Sequence, residues 1–84
     1  MTTIIMYSTG YCPYCVKARE LLNKKNAPFT DIRIDLQPEL REEMIAKSNR
    51  HTVPQIFING HHVGGCDDLH ALEAQGKLDP LLKG

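Results

Sequence analysis

The sequence predicts an α/β fold, a mixed four-stranded sheet in the order β-α-β-α-β-β-α flanked by helices, and three observations carry that prediction. Short β-branched and apolar runs at Thr3–Tyr7, Phe29–Leu36 and Gln55–Ile58 alternate with stretches whose apolar residues recur at helical spacing. Asn59-Gly60 stands between Gln55–Ile58 and His61-His62-Val63, a two-residue hairpin signal because both turn positions tolerate positive φ. Cys12-Pro13-Tyr14-Cys15 falls where the first apolar run stops and helical periodicity begins. A chain of 84 residues leaves room for one domain, 1–84, with a small core.

Taken in order, Thr3–Tyr7 has no polar alternation, as expected of a central strand buried on both faces. Ser8-Thr9-Gly10-Tyr11 is a loop. The first helix starts at Pro13, where a missing N–H costs nothing, and runs to about Lys25 with Tyr14, Ala18, Leu21 and Leu22 on one face. Lys24 and Lys25 suit the negative end of its dipole, Asn26 can adopt a left-handed cap, and Pro28 prevents continuation. Phe29–Leu36 follows as a second strand, which completes a right-handed βαβ unit. A second helix is expected from Pro38 to Ser48, with Leu40, Met44 and Ile45 inward. After the hairpin, Gly64-Gly65 breaks the strand, and Cys66-Asp67-Asp68 opens a last helix that carries Leu69 and Leu72 and stops at Gly76.

Ten basic residues balance ten acidic ones. A formal charge of zero gives no electrostatic case for nucleic acid or a membrane surface, so a small or protein partner met at a local site is expected. No apolar run approaches the ~20 residues of a membrane span. Met1-Thr2-Thr3 shows no signal-peptide pattern, and three cysteines do not make a secreted disulfide framework, so a cytoplasmic monomer is expected.

The chemistry lies in Cys12-Pro13-Tyr14-Cys15. With Pro13 as the first helical residue, Cys12 is the N-cap, where its sulfur can accept from the amides of Tyr14 and Cys15 at the positive end of the dipole. Both effects favour a thiolate and make Cys12 the nucleophile, with Cys15 in the same turn able to close a disulfide. The competing reading is half of a zinc site, but zinc needs four ligands and a second C-x-x-C or an H-x-x-x-H is absent, so no metal is expected. Tyr14 is either a core aromatic or a ring that flanks the sulfur and touches substrate. His51, His61, His62 and His70 lack ligand spacing and read as surface or turn residues.

Cys12-Pro13-Tyr14-Cys15, Thr52-Val53-Pro54 before a strand and Gly64-Gly65-Cys66-Asp67-Asp68 opening the last helix stand in the order and spacing of the dithiol glutaredoxins, which the chain resembles over essentially all its residues. The resemblance implies a thioredoxin fold and reduction of glutathione mixed disulfides and protein disulfides, with glutathione as reductant and no bound cofactor. It also implies a cis-proline at Pro54 that frees the Val53 backbone to pair with an extended glutathione. The γ-glutamyl carboxylate would then meet the amides of Cys66 and Asp67 beside Gly65, and its ammonium Asp67 or Asp68. Cys66 itself is expected to pack rather than react. The family resembles itself in carrying a lysine three residues before the nucleophile, where this chain has Thr9, so the glycine carboxylate falls to Arg41 or Arg50. Ribonucleotide reductase is a protein partner the resemblance suggests. Alternatives are an electron donor reduced by thioredoxin reductase, against which the Gly64–Asp68 stretch speaks, and an iron-sulfur carrier, against which Pro13 and the second cysteine speak.

Overall fold

Strand β1 (Ile4–Ser8) lies inside the sheet of the computed structural model, which describes residues 2–83; Met1 and Gly84, the ends of the expected domain, lie outside them. The strand order is β2-β1-β3-β4, with β2 (Thr30–Arg33) parallel to β1, β3 (Gln55–Ile58) antiparallel to β1, and β4 (His61–Gly64) antiparallel to β3. Neighbours on both edges and helices on both faces explain why β1 is apolar without alternation.

Alternate side chains along the sheet feed two cores. Ile4 and Met6 of β1 join Ile56 and Ile58 of β3 against Ala18, Leu21 and Leu22 of α1 (Pro13–Lys24) and Leu69 of α3 (Cys66–Ala74). Tyr7 and Phe57 point the other way and pack with Ile34 and with Met44 of α2 (Leu40–Ser48). The Tyr7 hydroxyl donates to Glu43 Oε2 at 2.6 Å, which ties β1 to α2. The expected punctuation is present: Asn26 and Asn59 have positive φ (54° and 51°), and Gly60 follows at 83° to make the hairpin turn; Asn49, which ends the helix closing at Ser48, is left-handed as well at 60°.

Several expectations need correction. Tyr14 is 55% exposed, and the residue that α1 buries in its place is Cys15. The second strand ends at Arg33 rather than Leu36, because the amides of Leu36 and Gln37 both turn back onto Arg33 O (3.2 and 3.0 Å) and leave Leu36 in solvent. Pro38 and Glu39 form a tighter turn before α2, with Leu40 N–H on Gln37 O and Arg41 N–H on Pro38 O. A fourth helix, α4 (Leu78–Leu82), was not anticipated and extends the order to β-α-β-α-β-β-α-α. Five residues are too few for a periodic signal, and Pro80 argues against a helix unless it sits in the first turn, as it does here. Leu78 anchors α4 in the first core, and Lys25 Nζ ties it down through Asp79 (3.0 Å) and Glu73 of α3 (2.7 Å). No helix among the described residues is long and apolar enough to cross a membrane.

Candidate active site

The two thiols differ in surroundings although they share one turn. Cys12 is the N-cap of α1 with extended backbone (φ −81°, ψ 121°), and its carbonyl accepts the Val16 N–H at 3.1 Å. Its side chain makes no capping hydrogen bond, contrary to expectation; the thiol instead points at Val53 O, 3.9 Å away across the gap between α1 and β3. The helix-terminal field remains, but the amides of Tyr14 and Cys15 are not its direct partners. Cys15 is fully buried, and its Sγ accepts the Thr9 N–H at 3.5 Å. Burial pushes the Cys15 thiol up to about 11, and the neighbouring Cys12 sulfur adds to this against the opposing pull of the Thr9 amide and the Arg19 charge. All three cysteines, Cys12, Cys15 and Cys66, are free thiols.

That shift has a stability consequence. Above about pH 9 the unfolded chain loses the Cys15 proton while the folded chain keeps it, so stability falls as pH rises. The loss builds until the folded thiol itself ionises near 11, and two units of separation correspond to roughly 2–3 kcal/mol. Urea unfolding of the reduced protein at pH 7.5 and 10.5, with Cys15→Ser as comparator, measures it; equal pH dependence in both proteins would refute the burial argument.

Beside the dithiol lies a cleft of about 290 Å³ lined by Tyr14, Arg50, Thr52, Val53, Pro54, Gln55, Gly65, Cys66, Asp67 and Asp68. One wall is the segment before β3. The Val53–Pro54 peptide is cis, and Val53 lies beyond the last rung of the β1–β3 ladder, the Tyr7–Gln55 pair. Gln55 fixes this segment from below: fully buried, it donates through Nε2 to Thr52 O (3.0 Å) and Thr52 Oγ1 (3.2 Å), while its Oε1 is hydrogen-bonded to His62 Nε2 at 2.7 Å. Burial and then the Arg50 charge lower the His62 pKa, against the opposing pull of Asp68.

The opposite wall is the start of α3. Gly65 is the N-cap, and Asp68 Oδ2 accepts its N–H at 3.0 Å while pairing with Arg50 Nη1 at 3.0 Å. The Gly65 amide first, then Arg50, hold the Asp68 carboxyl below its ordinary value. A Cβ on Gly65 would come within 3.3 Å of Pro54 O, so a side chain there would press on the opposite wall and need it to give by a few tenths of an ångström. Cys66 is buried, and burial followed by Asp67 pushes its thiol up.

Of the residues singled out from the sequence, Tyr14, Thr52, Val53, Pro54, Gly65, Cys66, Asp67 and Asp68 line one cleft, and Cys12 contacts its Val53 wall. Arg41 does not line it; its Nη2 donates to His51 O at 2.9 Å and braces the chain leading to Thr52. Arg50 is the base on the wall. Sequence reasoning missed Gln55, for which a polar residue in an apolar strand was the available signal, and the Arg19-Asp31-Ser8 group behind Cys15, for which there was none.

Comparison with known proteins agrees with this geometry. The family profile Glutaredoxin matches residues 4–63. The chain is 54% identical over 82 residues to a glutaredoxin of Pseudomonas aeruginosa strain PAO1, covering 98% of each chain. It is 53% identical over 83 residues to glutaredoxin 3 of Escherichia coli strain K12, covering 99% of this chain and 100% of that one. Among solved structures, a buckwheat glutaredoxin-glutathione complex superposes with a TM-score of 0.91 at 29% identity, covering 98% of this chain and 77% of that one.

Proposed function

The chain belongs to the glutaredoxin family, thioredoxin-fold oxidoreductases that exchange thiols and disulfides with glutathione, and on that premise we propose how its residues divide the work. Cys12 is the nucleophile and Cys15 the resolving thiol. The observation that carries this is their unequal burial: Cys12 is partly open beside the cleft, whereas Cys15 is sealed in the core and holds its proton up to about 11. A disulfide substrate can reach only the first.

With a glutathione mixed disulfide, the Cys12 thiolate attacks the glutathione sulfur, and the substrate leaves as a thiolate that takes up a proton. A second glutathione then attacks the Cys12–glutathione bond, releasing Cys12 and oxidised glutathione. With a protein disulfide, Cys12 becomes joined to one substrate sulfur, and Cys15 attacks Cys12 Sγ to release the second reduced thiol. Two glutathiones return the Cys12–Cys15 disulfide to dithiol.

Glutathione lies along the cleft in this reading. The Val53 amide and carbonyl pair with its cysteinyl backbone, Thr52 and Tyr14 flank it, and cis Pro54 shapes the turn. Its γ-glutamyl carboxylate takes the Cys66 and Asp67 amides of α3. Asp67 is the better partner for its ammonium, because Asp68 is already engaged by Gly65 and Arg50. The glycine carboxylate falls to Arg50 on the wall, with Arg41 one step back. Protein partners are glutathionylated or disulfide-containing proteins, ribonucleotide reductase among them, met by a monomer in the cytoplasm, where reduced glutathione is abundant.

The test is turnover with glutathione and glutathione reductase against turnover with thioredoxin reductase alone. Glutathione should support turnover and thioredoxin reductase should not. Asp67→Ala should raise KM for a glutathione mixed disulfide about tenfold, the worth of one lost charged contact, and Val53→Pro should raise it by removing the backbone donor. His61→Ala should change little. Equal kinetics in all three variants would show that glutathione does not lie along this cleft.

A further inference from the structure

Behind Cys15, on the side away from the cleft, four residues form a closed polar group that the reaction above does not use. Arg19, one helical turn beyond Cys15 on α1, donates through Nε to Asp31 Oδ2 of β2 at 2.7 Å. Its Nη2 donates to Ser8 Oγ at 2.7 Å and to Thr9 O at 3.1 Å. Ser8 is fully buried and its hydroxyl is hydrogen-bonded to Asp31 Oδ1, while Thr9 is 6% exposed. The Arg19–Asp31 pair is itself mostly shielded, with side chains 21% and 28% exposed. Thr9 connects this group to the chemistry, because its N–H is the donor to Cys15 Sγ at 3.5 Å.

We propose that Arg19 is a positioning residue for the resolving step: through Ser8 and Thr9 it holds the amide that faces Cys15 Sγ, and it sets a positive charge behind that sulfur as it attacks Cys12. The inference rests on Cys15 being the resolving thiol. In that step the Cys15 S–H gives up its proton, its sulfur electron pair forms the Cys12–Cys15 bond, the Cys12–substrate bond breaks, and the departing thiolate takes up that proton. Negative charge therefore develops on a sulfur sealed from solvent. Water cannot stabilise it there, so a fixed amide and a nearby guanidinium contribute more than they would at the surface. The charged or ionisable groups around Cys15 are Cys12, Arg19 and, at the end of β2, Arg33. Arg33 is forked onto Asp35 by two hydrogen bonds (2.7 and 2.6 Å), whereas Arg19, besides its pairing with Asp31, holds Thr9 O, the residue whose amide faces Cys15 Sγ.

The step can be watched with 5,5′-dithiobis(2-nitrobenzoate) in a Cys66→Ser background. Attack by Cys12 releases one thionitrobenzoate, and attack by Cys15 on the resulting mixed disulfide releases the second. In Arg19→Gln the pH midpoint of the second release should rise by about one unit, making it about tenfold slower below the midpoint. Arg19→Lys should bring the midpoint back toward wild type. Asp31→Asn should lower it, because Arg19 is then less neutralised; a merely structural role would move both sites in one direction. An unchanged midpoint in Arg19→Gln overturns the proposal, and if that variant does not fold, an unchanged or raised midpoint in Asp31→Asn overturns it. The Cys15→Ser control separates the two readings: a second release that survives there refutes Cys15 as the resolving thiol, not the role of Arg19.

Discussion

Cys15→Ser should keep its turnover on small glutathione mixed disulfides and lose turnover on protein disulfides, whereas Cys12→Ser should fall to background on both. The asymmetry follows from burial. Cys12 is the only active-site sulfur a substrate can reach, so its loss removes the first step of either cycle. Deglutathionylation is finished by a second glutathione from solution and needs nothing from Cys15. Reduction of a protein disulfide needs a thiol already in place beside the Cys12–substrate bond, and Cys15, three residues away in the same turn, supplies it intramolecularly. Dissolved glutathione must take over when Cys15 is absent, and replacing an intramolecular thiol by a millimolar one should slow protein-disulfide turnover on the order of a hundredfold. Assays of both single variants on both substrates decide the matter. If Cys15→Ser abolished deglutathionylation while Cys12→Ser retained it, nucleophile and resolving thiol would be reversed.

The second large effect is expected at Gly64, the last residue of β4. Its φ of +122° is open to glycine and strained for anything else, and a Cβ there would overlap the Asp68 carboxylate. Alanine must therefore distort the backbone and displace the side chain that caps α3 through the Gly65 N–H and pairs with Arg50. Strain of this kind and a lost hydrogen bond together amount to roughly 2–4 kcal/mol. Gly76 is the control, since its φ is also positive, at +70°, but a Cβ there meets nothing within 4 Å. Gly76→Ala should cost only about 1 kcal/mol. Urea unfolding compares the two, and the KM for a glutathione mixed disulfide should rise in Gly64→Ala alone because the α3 wall shifts. Equal destabilisation by both substitutions would mean that the Asp68 cap contributes nothing.

Most of the architecture was legible because it is written in local signals. Pro13 marked the first residue of α1, Asn26 its end, and Asn59-Gly60 a turn with two positive φ values. What escaped was decided by tertiary contact. Leu36 reads as strand by composition, yet Arg33 turns the chain before it. Tyr14 shares helical spacing with Ala18, yet its ring stays 55% exposed while the smaller Cys15 in the same turn is fully buried. Helix α4 forms because Leu78 reaches the core and Lys25 pairs with Asp79, contacts that five residues cannot announce. At the site, the cleft residues were found from motifs that carry their own geometry. Gln55 and Arg19 were not, because their roles depend on which loops the fold sets beside them.

The arrangement of β1 and β3 has a consequence for how activity is acquired. The N-terminal βαβ unit contributes both cysteines, and the C-terminal ββα portion contributes the Thr52–Pro54 segment and the α3 terminus. Cys12 and Val53, in contact across the gap, are 41 positions apart in the chain. The two portions are joined in the sheet along a single antiparallel seam, β1 on β3. A chain in which only the first portion had formed would own a reactive pair of thiols with no groove to choose their substrate. Selective chemistry therefore appears only when the seam closes, and discrimination between glutathione disulfides and arbitrary ones reports on completed assembly more sensitively than thiol reactivity does.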